Sequence, residues 1–130
     1  MLLVRTKLGI SSIQGIGLFA AEYISKDTTI WKFHRYLDIK LSEQQIGELS
    51  IPCQEQVIGY AYKQRSSGLY VLCGDDARFI NHSSNPNCID IKDQDGSGIT
   101  VTIRDIQPNE ELTCDYYIFD QDLIDGKYKL

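Results

Sequence analysis

Arg78-Phe79-Ile80-Asn81-His82-Ser83-Ser84-Asn85-Pro86-Asn87-Cys88 is the stretch around which the rest of the chain is read. Its polar side chains are too dense for a core strand and too specific for an arbitrary loop. Asn81, Asn85 and Asn87 each carry an amide that both donates and accepts, His82 adds an imidazole, and Arg78 adds a fixed fork of donors. Pro86 fixes its own φ and biases Asn85 away from helix. Phe79 and Ile80 anchor the start of the stretch in a core. Together they predict a buried entry followed by a rigid turn crowded with hydrogen-bonding groups. Such a turn suits a polar ligand or a crossing piece of backbone.

Outward from this stretch, the bulk properties bound the protein. A chain of 130 residues is long enough for one domain with one real core, here 1–130. Its 42% hydrophobic and 24% charged residues fit a globular protein in water. The formal charge of −5, from 13 basic and 18 acidic residues, argues against direct nucleic-acid binding. The same charge favours the approach of a cationic partner. Met1 to Arg5 holds too short an apolar run for a signal peptide, and no stretch approaches a membrane span. A cytoplasmic protein is expected, or one acting in a host nucleus if it is exported or viral. Cys53, Cys73, Cys88 and Cys114 form no C-x-x-C pair, so free thiols in a reducing compartment are expected and no metal site.

Read in order, Leu2 to Thr6 is a first short strand and Gly9 to Gly17 a Ser- and Gly-rich loop. Gly15 and Gly17 mark either a tight turn or a close approach of backbone to a ligand. Thr28 to Tyr36 is β-branched and aromatic, hence a strand, with His34 structural or on the surface. Ser42 to Leu49 reads as a short helix with a capping box between Ser42 and Gln45, ending before Pro52. Tyr60 and Tyr62 stand at strand spacing on one face, and Leu69 to Cys73 is another strand. Asp75 caps a helical turn. Cys88–Lys92 and Ile99–Ile103 alternate as strands around a hairpin turn at Asp93 to Gly98. Leu112 to Tyr117 is the last strand, followed by a polar tail that is at most a loose helix. Short strands at close spacing with little helix indicate a mainly β fold.

Three pieces of this chain resemble the SET-domain protein-lysine methyltransferases. Arg78 to Cys88 is similar to the family's RFINHS-x-x-PNC signature. Gly15-Ile16-Gly17-Leu18-Phe19-Ala20 resembles its G-x-G-x-F-A start, and Glu110-Glu111-Leu112-Thr113-Cys114-Asp115-Tyr116 its EELT-x-DY end. The resemblance runs from about Val4 to Tyr117 in the family's order, leaving 118–130 as a short tail. The family's small viral and bacterial members have about this length. The resemblance implies a β-clip fold of several small sheets with a C-terminal pseudoknot. It also implies S-adenosylmethionine as cofactor and methylation of a lysine in a basic protein, such as a histone tail.

Residue by residue, the resemblance implies that Gly15, Ile16, Gly17, Tyr60, Arg78, Asn81, His82 and Tyr116 contact the cofactor. It implies that Tyr62, Tyr70 and Cys114 wall the lysine channel, and that the Tyr116 hydroxyl sits by the transferring methyl. From the residues alone, the tyrosines and His82 are more readily read as core side chains. The chemistry nonetheless suits these residue types. Free lysine has a pKa of about 10.4 and must lose a proton before it attacks. A narrow apolar channel disfavours the ammonium and aligns the reactants.

The chain departs from the family at Cys114, where relatives carry an aromatic residue that limits room, and in lacking a cysteine-rich segment. The tail, or a second subunit in a homodimer, is then expected to complete the channel wall. A SET-fold module that binds partners and catalyses nothing is the alternative reading.

Overall fold

The computed structural model describes residues 1–92 and 98–127. The chain begins with a hairpin, β1 (Thr6–Ile10) against β2 (Ile16–Ala20), in full antiparallel register from Thr6 opposite Ala20 to Ile10 opposite Ile16. The expected strand at Leu2 to Thr6 therefore lies further along, and Leu2 itself forms an isolated bridge with Trp31. Gly9 permits the shift because it lies under the Phe19 ring, where a Cβ would sit 3.1 Å from that ring. The expected loop shrinks to a turn closed by the Ser11 amide donating to the Gly15 carbonyl at 2.9 Å.

β3 (Thr29–Lys32) is shorter than the expected strand from Thr28 to Tyr36. It ends because the chain folds around the buried Asp38, whose carboxylate accepts from the His34 amide at 2.7 Å and the Gly74 amide at 3.0 Å. β4 (Ile39–Leu41) leads to α1 (Glu43–Gly47), which starts with the expected capping box. Ser42 Oγ accepts from the Gln45 amide and Gln45 Oε1 from the Ser42 amide. The next segment corrects the sequence reading. Pro52 does not end a helix but opens one, α2 (Ile51–Tyr60), in the first turn where a missing N–H costs nothing. Tyr60 is thus the last helical residue, and Tyr62 begins β5 (Tyr62–Lys63) beyond Ala61.

β6 (Tyr70–Leu72) pairs with both β4 and β5 in a three-stranded sheet. A 3₁₀ turn (Asp76–Phe79) follows, capped as expected by Asp75, which accepts from the Ala77 amide at 3.1 Å. β7 (Asn81–His82) comes next, then β8 (Cys88–Lys92) and β9 (Gly98–Thr102). The latter two join β3 in a sheet of order β3-β9-β8. The expected hairpin turn between them falls on 93–97, outside the described residues. β10 (Thr113–Cys114) is parallel to β7, with Thr113 opposite Asn81 and Cys114 opposite His82.

The expected last strand stops at Cys114 because Asp115 accepts from the Tyr117 amide and starts α3 (Tyr116–Phe119). The tail then forms α4 (Gln121–Ile124), capped by Asp120. Among the described residues no helix is long and apolar enough to cross a membrane.

Among the described residues two cores hold these sheets. Leu18, Ile30, Val71, Ile106 and Leu112 are at most 1% exposed in the main one, each burial contributing about 1.5–3 kcal/mol. Ile46, Val57 and Tyr70 form the smaller one under α1 and α2. Asn87, 4% exposed, ties the central crossing. Its amide nitrogen donates to the Glu111 carbonyl at 2.7 Å, and its amide oxygen accepts from the Thr113 backbone at 2.9 Å. The polar turn around Pro86 therefore grips a crossing backbone, one of the two uses expected of it.

Candidate active site

The parallel β7–β10 pair positions the site. Asn81 and His82 lie beside Thr113 and Cys114, and Tyr116 follows at the first turn of α3. His82 Nδ1 accepts from the Tyr116 backbone amide at 3.2 Å, which places the imidazole proton of the neutral ring on Nε2. The His82 and Tyr116 rings stand 5.7 Å apart. The Tyr116 hydroxyl donates to the Ile80 carbonyl. Burial, and then the neighbouring Cys114, push the Tyr116 phenol well above its ordinary value, so it stays neutral. Its oxygen keeps acceptor capacity while it donates.

A cavity of about 310 Å³ opens here. Tyr60, Tyr62, Arg78, Cys114 and Tyr116 all line it. Five of the residues named from the sequence thus come together, although Tyr60 and Tyr62 arrive from a helix and a strand rather than from one strand face. Phe119 links the aromatic wall, edge-on to Tyr62 at 5.1 Å and to Tyr116 at 5.5 Å. Phe119 and Asp120 show that the tail itself supplies part of the wall. Cys114 is 2% exposed. Its thiol is held protonated, first by hydrogen bonding with Cys88 and then by burial.

Gly15, Ile16, Gly17, Asn81 and His82 form an adjoining cluster outside the cavity lining. Asn81 Nδ2 donates to the Gln14 carbonyl at 3.1 Å, the Ile16 carbonyl at 3.2 Å and Glu111 Oε1 at 2.9 Å. Glu111 Oε2 accepts from Ser11 Oγ at 2.9 Å. One carboxylate so clamps the three motifs together. This corrects the reason for one glycine. A Cβ on Gly17 would stand 2.2 Å from Glu111 Oε1, so its close approach is to that carboxylate. Gly15 meets nothing within 4 Å and is fixed instead by its φ of +50°.

Tyr70 is placed away from the channel. Tyr62 pairs with Val71 across β5 and β6, while Tyr70 pairs with Lys63, so the two tyrosines face opposite sides of the sheet. The Tyr70 ring packs in the smaller core and its hydroxyl donates to Asp122.

Sequence reasoning missed Asp90, Trp31, Thr100, Ile80 and Phe119 in the cavity and Glu111 in the clamp. Strand alternation placed Asp90 on the same face as Cys88, but nothing local signals that this face borders a cavity. Burial pushes the Asp90 carboxyl up to about 6, although the hydrogen bond from Thr100 works in the opposite direction.

Small sheets joined by a parallel contact between two distant motifs, beside an aromatic cavity, define a SET-type fold. The chain belongs to the SET domain family, whose pattern it matches over residues 15–117. It is 39% identical over 118 residues to a "Histone-lysine N-methyltransferase, H3 lysine-4 specific" of Neurospora crassa, an alignment covering 85% of this chain and 9% of that protein. It is 32% identical over 135 residues to the "Histone-lysine N-methyltransferase trr" of Drosophila melanogaster, covering 92% of this chain and 5% of that protein. The chain thus spans less than a tenth of the length of these curated relatives. Among solved structures, a humanized mutant of the Chaetomium thermophilum Polycomb Repressive Complex 2 bound to an inhibitor superposes with a TM-score of 0.69 at 24% identity. That match covers 94% of this chain and 16% of that one, and it bears on the fold.

Proposed function

We propose that this chain is an S-adenosylmethionine-dependent protein-lysine N-methyltransferase acting on a basic protein tail, histones being the first class to test. One observation carries the reading: the neutral Tyr116 hydroxyl beside the Ile80 carbonyl, at the wall of an aromatic cavity that Cys114 also lines. Carbonyl and phenol oxygens are the groups that stabilise a cationic methyl during transfer.

The residues present fit the cofactor. Ile16 is 51% exposed and its backbone is held in place by Asn81, which makes a rigid polar edge beside the site. Arg78 lines the cavity and offers a guanidinium, the partner that best matches a carboxylate. S-adenosylmethionine, when bound, supplies an electrophilic methyl on a sulfonium. The chain's own residues do the remainder. His82 fixes the backbone of Tyr116 and so the aim of its hydroxyl. Tyr62, Phe119 and Tyr116 exclude water from the lysine side chain and align it. Their apolar faces favour the neutral amine that must attack. The acidic surface, at −5 overall, draws in a basic substrate.

Calorimetric titration with S-adenosylmethionine in the presence of a chelator tests the reading. Saturable binding is expected without added metal. A folded protein that takes up no cofactor would make the chain a non-catalytic SET-fold module.

A further inference from the structure

Asp90, Thr100 and Trp31 form one row across the central sheet. Thr100 lies opposite Asp90 on one side and opposite Trp31 on the other, and all three line the cavity. Directly opposed residues in antiparallel strands share a face, roughly 5 Å apart. Thr100 Oγ1 donates to Asp90 Oδ1. Trp31 is 3% exposed, and its indole Nε1 is buried with no hydrogen-bond partner.

Two carboxylates, Asp90 and Asp120, are among the residues that line the cavity. Tyr62, Cys73 and Tyr116 are held in their neutral forms chiefly by burial, and Cys114 by its Cys88 hydrogen bond and burial. Arg78 is a cation, with its Nε donating to the Asp75 carbonyl. Asp120 Oδ1 already accepts from the backbone of Lys63 and Asp122.

A cavity lined by a carboxylate together with Trp31, Tyr62, Tyr116 and Phe119 has the composition of an alkylammonium site. Aromatic faces attract a diffuse cation, and a fixed carboxylate adds charge selectivity. Cys114 leaves room where a larger ring would fill it.

We propose that Asp90 makes this cavity a binding site for methylated ammonium groups, so that Asp90 determines specificity for a lysine that already carries methyls. The proposal rests on the methyltransferase reading, but its chemistry is separable from catalysis. A neutral amine needs no carboxylate, whereas mono- and dimethylated lysines, the substrates of a second and third transfer, are cations between turnovers. Asp90 would retain them for another round.

Trp31 is the one tryptophan in the sequence, so its fluorescence reports the cavity directly. The probes are the cation choline and its uncharged isostere, the neutral alcohol 3,3-dimethylbutan-1-ol, titrated at pH 7.5. The cation is expected to change Trp31 emission saturably, with about tenfold tighter binding than the alcohol, as one charge-assisted contact provides. Asp90→Asn is expected to abolish that preference while leaving the alcohol within about twofold. Equal affinities for cation and alcohol in the wild type overturn the proposal, and this comparison needs no variant to fold. An unchanged preference in folded Asp90→Asn overturns it as well. Cation preference without cofactor binding would sink the methyltransferase reading and keep the site; cofactor binding and turnover without cation preference would do the reverse.

Discussion

At the scale of single residues, Tyr116 and Asp90 make opposite demands on the fold. Tyr116→Phe keeps the ring contacts with His82 and Phe119 and loses one hydroxyl. Turnover should fall on the order of 10²–10³ with little change in thermal midpoint, because the loss is felt at the reacting centre. A tyrosine that serves only the core would show the reverse, which steady-state kinetics alongside thermal melts would reveal. Asp90 is held where its charge is costly. Its carboxyl titrates near 6 in the folded chain against an ordinary 3.8. Between those values the folded chain holds a proton that the unfolded chain has released, so this group's contribution to stability falls as pH rises through the window. Asp90→Asn should therefore stabilise the protein by about 1–2 kcal/mol at pH 7.5 and by nearly nothing at pH 4. Urea denaturation of both proteins at both pH values measures it; equal stabilities at pH 7.5 would show that the carboxylate is not strained. A functional charge kept at the expense of stability is a common trade. Tyr116 and Cys114 were legible in the sequence because they sit inside a linear motif. Asp90 was not, because its meaning comes from Thr100 and Trp31 on two other strands.

At the scale of elements, the clamp through Glu111 explains why three separated motifs behave as one. Glu111 Oε1 is the end of a flexible side chain, yet it is held by Asn81 while Oε2 is held by Ser11. Gly17→Ala would push it off both partners, at a cost of about 1–3 kcal/mol for the donors left behind. Gly15→Ala meets open space and loses only about 1–2 kcal/mol from its left-handed backbone. Chemical denaturation should rank Gly17→Ala as the more damaging, and cofactor affinity should follow the same order; the opposite ranking would remove the clamp from the account. The capping box at Ser42 and the Asp75 cap were read directly, since each is a local hydrogen-bonding pattern. α2 was missed because Tyr60 and Tyr62 imitate strand spacing while Pro52 at a helix start looks like a helix end. Tyr70 was misplaced for a related reason: β5 and β6 are so short that one residue of register decides which core a ring enters.

At the scale of the whole molecule, four small sheets among the described residues leave no single layer to carry a site, and the cavity is lined by residues from several of them and from the segments between. The family was legible because its motifs are contiguous and ordered, and the match over residues 15–117 bears that out. The cavity's walls were less so, because α3 brings Phe119 and Asp120 back from the tail. The central claim is that this assembly transfers a methyl group to lysine and, with Cys114 rather than a larger ring in its wall, does so more than once. Mass spectrometry of a histone-tail peptide after incubation with S-adenosylmethionine tests it most directly. The wild type should give lysine-borne methyl groups beyond the monomethyl product, and Cys114→Tyr should shift the mixture toward monomethyl. A peptide left unmodified by folded, cofactor-loaded protein, with other basic proteins likewise untouched, would contradict the account.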